Sequence, residues 1–268
     1  MIGRLVRWAE RHKERLLLAF VGVNLLGYAA DCTLAHWSTG FYHWGMLVSL
    51  LWPLAAGVPV ILFVFRTPGR LGRVLLHIAA AGSLLVGVAG FLWHLAGQFL
   101  IVPRLESLVY SAPLLGPAVL AALGLLLFLY LRPPKGGLYR PLLLLAAASF
   151  LGLALMSLQD HAQNGFFHWS EWSPVIVGLF AAAVYAVAFF RGPGGRVLRL
   201  ACAWAVLLIG LAGTYFHVAA FLRHAAPLIE RFALLAPPFA PILLCDAALF
   251  ALLADLWSGK GALEAVRA

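Results

Sequence analysis

The sequence predicts an all-α integral membrane protein of eight transmembrane helices, built as two parallel four-helix repeats. Three observations carry that expectation. Of 268 residues, 63% are hydrophobic and only 11% charged, whereas a soluble domain carries about 25% charged and about 45–50% apolar residues. The apolar residues fall into eight long runs. A scarce residue type, histidine, recurs at a nearly constant spacing between the two halves of the chain. A water-soluble enzyme and a disordered chain are both excluded by this composition.

The runs cover residues 16–35, 44–65, 74–102, 112–131, 141–158, 174–190, 197–222 and 237–257. Each approaches the roughly 20 apolar residues that a helix needs to cross the hydrocarbon core. They are continuous and rich in Leu and Ala, without the strict alternation of strands, so helices are expected. Pro, Gly and Arg punctuate the connections, as in Arg66-Thr-Pro-Gly-Arg70, Arg132-Pro-Pro-Lys-Gly-Gly137 and Arg191-Gly-Pro-Gly-Gly-Arg196. The first run has the basic flank of a signal peptide, but it is long and shares a motif with the second half, so it reads as an uncleaved span. The expected organisation is a basic cytoplasmic N-terminus (1–15), a first repeat (16–134), a second repeat (135–258) and a cytoplasmic tail (259–268).

Orientation follows from Lys and Arg. Sixteen of the nineteen lie on one side, in the N-terminal segment, the C-terminal tail, the connections after the second, fourth and sixth spans and, as Arg199, the first turn of the seventh; only Arg104, Arg223 and Arg231 lie on the other side. Basic residues concentrate in cytoplasmic loops, which places both termini inside. The net charge of +9 is therefore a topology signal, and nucleic acid is not an expected partner. The expected location is the inner (cytoplasmic) membrane, with the bilayer as the first partner and other membrane subunits or a redox partner beyond it.

Gly40-Phe-Tyr-His-Trp44 recurs as Gly165-Phe-Phe-His-Trp169, and Gly87-Val-Ala-Gly-Phe-Leu-Trp-His94 as Gly210-Leu-Ala-Gly-Thr-Tyr-Phe-His217. Pro103-Arg-Leu-Glu106 matches Pro227-Leu-Ile-Glu230. The offsets are 161 − 36 = 125, 168 − 43 = 125, 217 − 94 = 123 and 230 − 106 = 124. Four spans return each half to the same orientation, so the repeats are expected to be parallel, related by a pseudo-twofold along the membrane normal.

Six of the nine histidines form the matched pairs His36/His161, His43/His168 and His94/His217. His36 closes the first span and His43 opens the second. His94 lies 21 residues beyond Arg73, about 31 Å of helix, or one hydrocarbon thickness. All six therefore collect at the outer face, with Glu106 and Glu230 in the connections that follow. Three imidazoles and a carboxylate per half suit a transition metal, copper or iron first, with zinc or manganese as further candidates. Asp160, next to His161, suits an outer partner that orients an imidazole. Asp31 and Asp246 lie within spans, where ionisable groups are costly, and are candidates for a proton route.

The expected function is a membrane metalloprotein serving redox catalysis or metal handling at the outer face. The alternatives are a b-type haem protein, with His36 opposite His94 and His161 opposite His217, and a transporter or a structural subunit of a membrane complex. The Trp and Phe residues flanking the histidines read as an interfacial aromatic belt. Cys32, Cys202 and Cys245 have no paired spacing and suggest neither a disulfide framework nor a zinc ribbon. No Walker A, HExxH, GxSxG or CxxCH motif is present.

Overall fold

In the computed structural model, residues 2–258 are described except 38, 193, 228–229 and 232–239, and no strand occurs among them. The helices are α1 (Ile2–Trp37), α2 (Trp44–Phe65), α3 (Arg70–His94), α4 (Leu105–Val109), α5 (Gly116–Leu131), α6 (Tyr139–Gln163), α7 (Trp172–Arg191), α8 (Arg196–Arg223) and α9 (Ile242–Ala254). Six of them, α1, α2, α3, α6, α7 and α8, are long and apolar enough to cross a membrane. The chain is a multi-pass all-α membrane protein, and large apolar side chains such as Leu62, Phe65, Phe190 and Val197 stand exposed on its helices, as suits contact with a lipid bilayer.

Several elements depart from the boundaries expected from hydropathy. α1 begins at Ile2, because the charged stretch before residue 16 is rich in good helix formers (Arg, Glu, Lys, Ala) and simply continues the span toward the N-terminus. α3 ends at His94 and passes into a π-helical turn, Leu95–Phe99, short of residue 102. α5 starts at Gly116 with Pro117 in its first turn, where a proline's missing N–H costs nothing. It has 16 residues, about 24 Å of helix. α9 has 13 residues and runs into a short 3-10 turn, Asp255–Trp257; the start of the expected eighth span lies outside the described residues.

The chain divides into two compact units, Met1–Leu138 and Tyr139–Ala268. In the first, α1 packs on α2, α2 on α3, α3 on α5 and α5 back on α1. The helices thus form a closed ring in which α1 and α3 stand diagonally. The second closes the same way: α6 on α7, α7 on α8, α8 on α9 and α9 on α6, with α6 and α8 diagonal.

The cores follow from helical periodicity. On α1 the buried stripe is Leu17, Leu18, Val21, Leu25 and Ala29; on α6 it is Leu142, Leu143, Ala146, Phe150 and Ala154. Each of these pairs lies 125 positions apart in the sequence. Close helix approach depends on small residues. A side chain at Gly87 of α3 would meet the backbone of Ala121 on α5, and one at Gly210 of α8 would meet Cys245 of α9, with its Sγ only 2.7 Å away. Gly90 and Gly213 each lie 3.0 Å, measured from an added Cβ, from the ring of Pro117 and Pro241 respectively.

One difference between the cores is chemical. Arg199 and Asp255 form a buried ion pair in the second unit. The positions 123 and 124 residues earlier are Leu76 and Leu131.

Candidate functional site

The Gly-Phe-x-His-Trp motif acts first as a code for ending one helix and starting the next. After α1, the Phe41 amide donates to the His36 carbonyl (3.3 Å) and the Gly40 amide to the Trp37 carbonyl (3.0 Å). After α6, Phe166 donates to His161 (3.1 Å) and Gly165 to Ala162 (3.2 Å). This pair of bonds is a Schellman cap, which needs a left-handed residue just past the helix. Gly40 and Gly165 both supply φ of +70°.

The following Phe41 and Phe166 also take positive φ, +50° and +54°, which is rare and strained for a side-chain-bearing residue. The turn throws each ring back over the histidine that closes the helix: His36 and Phe41 centroids are 6.2 Å apart, His161 and Phe166 centroids 6.0 Å. Phe166 is in turn stacked on Trp172 at 4.0 Å and 11°. His36 and His161 are thereby held in place by backbone and ring together.

The histidine within the motif sits at the N-cap of the following helix in both copies. His43 has the extended backbone of an N-cap, and its Nδ1 accepts the Gly45 amide at 3.1 Å. With Nδ1 accepting, the neutral ring carries its proton on Nε2, which removes that lone pair from ligation. Its ring also lies on Trp93, with centroids 4.6 Å apart. His168 has the same extended backbone (φ −118°, ψ 137°), and its carbonyl accepts the Glu171 amide at 3.0 Å.

The remaining histidines come together in pairs. His36 and His94 are near enough to interact electrostatically, and so are His161 and His217. Each pair spans the diagonal of its four-helix ring, one imidazole from the first helix and one from the third. All four rings are half-buried. His94 Nδ1 lies 3.2 Å from the Pro113 carbonyl, so Nδ1 carries the proton and Nε2 keeps a free lone pair. His161 Nδ1 lies 3.4 Å from the Glu171 carboxylate oxygen Oε2. Asp160 is exposed and interacts electrostatically with His217.

Other expected members lie elsewhere. Glu106 is exposed on α4 and lines an open pocket with Gly97, Val102, Ser107 and Tyr110. Glu230 is exposed. Asp31 is exposed on α1, with Tyr28 and Cys32 as its electrostatic neighbours. Asp246 is half-buried on α9 beside Cys245. Among the described residues, no three His, Cys, Asp or Glu side chains gather into a group able to hold a metal ion.

Comparison with known proteins assigns no family. The chain matches no family model, and no curated protein or solved structure is detectably similar to it.

What the structure offers is two imidazoles per unit, one from the first helix and one from the third, within electrostatic range of each other, with His94 oriented through Nδ1 by the Pro113 carbonyl and His161 beside the Glu171 carboxylate. Glu171 is the participant that the sequence pattern did not single out. Its signal was positional: it sits three residues after His168, inside the first turn that the capping histidine opens, where an acidic side chain also favours the helix N-terminus.

Proposed function

We propose that this protein is a membrane metalloprotein made of two four-helix repeats, eight crossings in all with both termini cytoplasmic, each repeat binding one transition-metal ion, copper or iron, between two imidazoles at its outer end. The ligands are His36 and His94 in the first unit and His161 and His217 in the second. The observation that carries the reading is the recurrence of the same diagonal imidazole pair in both units. A proton held on Nδ1 by an acceptor is the usual arrangement of a ligating histidine, whose Nε2 then faces the metal. Two protein ligands leave coordination positions open, which suits redox catalysis on a small substrate or transfer of the ion to a partner.

A b-type haem is the second reading, because two imidazoles meeting across a four-helix bundle are also an axial ligand set for haem iron. The repeat reading is supported by the matched helix rings, the paired Schellman caps and the glycine contacts at Gly87 and Gly210.

Elemental analysis of the detergent-purified protein, with an absorption spectrum, separates these readings. Near-stoichiometric copper or iron without a Soret band, reduced in His94→Ala and His217→Ala, is the expected result. Iron with a Soret band selects haem. Metal-free protein that also fails to take up added copper or iron overturns both.

A further inference from the structure

The packed face of α1 continues past the end of its bundle. Leu18, Val21, Leu25 and Cys32 follow one another at helical spacing along a single stripe of α1, and all four are buried. The antiparallel neighbour ends beside that stripe. Gly22 sits against Ile61 and Gly57 against Leu26, a register that brings Phe65, the last residue of α2, opposite Leu18. α1 itself reaches back to Ile2, so its first turns stand clear of α2.

Followed toward the N-terminus, the same rhythm of three and four passes Glu14 and then runs through Arg11, Arg7 and Arg4. All three arginines are exposed. Arg11 Nε donates to the Arg7 carbonyl at 3.3 Å, and none of the three forms an ion pair among the described residues. A second row runs alongside: Leu5 and Trp8 are exposed, and Trp8 is stacked on His12 with centroids 4.8 Å apart at 26°. Basic residues beside a span set its orientation, but that effect needs only charge near the membrane and is indifferent to the helix face that bears it.

We infer that residues 3–15 of α1 are a docking surface for an acidic helix of a partner protein on the N-terminal side of the membrane, its carboxylates on Arg4, Arg7 and Arg11 and an apolar side chain on Trp8. The stripe that packs against helices inside the bundle is cationic here, so the helix that complements it carries carboxylates at the same three-four spacing. A second copy of the chain would set like charges against each other. The chain's own final segment, with Lys260 and Arg267 against Glu264, is net basic. Anionic lipid reaches too little of the stripe. The apolar run opens at Leu16, which puts Arg7 and Arg4 about 14 and 18 Å beyond the hydrocarbon, whereas the headgroup layer is about 5–7 Å deep. The inference is independent of the metal reading.

The test uses the full-length protein in phosphatidylcholine nanodiscs and a fluorescent helical peptide with Glu at three-four spacing and Leu beside it. A peptide of the same composition, with its Glu residues scattered round the helix, is the comparison. Wild type is expected to bind the striped peptide roughly tenfold more tightly than the scattered one. Exchanging neighbours (Val6→Arg with Arg7→Val, and Glu10→Arg with Arg11→Glu) keeps composition, net charge and the orientation signal while breaking the stripe. Binding of the striped peptide should then fall roughly tenfold. Trp8→Ala should weaken it several-fold. Equal binding of the two peptides, no binding of either, or an exchange variant that binds like wild type overturns the inference. Phosphatidylglycerol vesicles or single-stranded RNA bound in place of the peptide would overturn it in favour of lipid or nucleic acid.

Discussion

Arg199 donates from Nε (3.1 Å) and Nη2 (2.7 Å) to a single oxygen, Oδ1, of Asp255, and both side chains are almost wholly buried, at 1% and 2% exposure. The pair joins the start of α8 to the end of α9 and ties in the neighbouring loop, because Arg199 Nη1 also donates to the Gly194 carbonyl. Tyr185 Oη donates to the Arg199 carbonyl, and the Tyr139 ring lies 6.0 Å from the guanidinium carbon.

Removing one partner of a buried ion pair leaves an uncompensated charge and costs about 3–5 kcal/mol, whereas replacing both by apolar residues is often neutral or stabilising. Arg199→Leu and Asp255→Leu are each expected to lower the thermal midpoint sharply in detergent. The double variant recreates the Leu76/Leu131 arrangement of the first unit and should recover most of the loss. A double variant as unstable as the sum of the singles would show that no such compensation exists.

Gly87 and Gly210 should resist replacement. A Cβ at Gly87 meets the Ala121 backbone and one at Gly210 meets Cys245, so the partner helix has to move away. Gly87→Val and Gly210→Val should each cost about 1–3 kcal/mol by overpacking. Gly27 and Gly152 have open space where a methyl would project, and Gly→Ala there should be neutral or slightly stabilising in the same thermal assay.

His43 should tolerate a substitution that no ligand would. Asn is a strong N-cap residue, so His43→Asn is expected to keep both stability and metal content near wild type. His43→Ala should lose about 1 kcal/mol through the missing cap, again with metal retained. A fall in metal content of the Asn variant would return His43 to the ligand set.

Gly40 and Gly165 occupy the left-handed position that both Schellman caps require. Gly165→Ala is expected to destabilise by about 1–2 kcal/mol and, by loosening the turn that holds His161, to lower metal occupancy in the second unit. Unchanged occupancy would show that the turn does not position the imidazole.

A reporter fused at the C-terminus should read cytoplasmic, as the distribution of Lys and Arg requires. A periplasmic reading would place every matched histidine on the cytoplasmic side.

The sequence alone was enough for the membrane class and for the helical content, because apolar run length is a local property. It also identified the matched histidines, since a scarce residue recurring at 123–125 positions needs no coordinates to be noticed. It misjudged the reach of α1, because hydropathy marks where a helix is apolar and is silent on where charged helix formers extend it.

The division of labour among the histidines was decided by tertiary structure. In sequence, His36 and His43 look equivalent. In space, His43 caps its own helix through Nδ1, while His36 comes within electrostatic range of His94 on the third helix. Likewise, nothing local distinguishes Asp255 from Asp246. Asp255 meets Arg199, 56 residues away, only because the helix ring brings distant segments to the same depth, whereas Glu171 meets His161 across a single turn. Hydrogen-bond direction and burial, on which the chemistry of these groups depends, are set by neighbours far away in the chain.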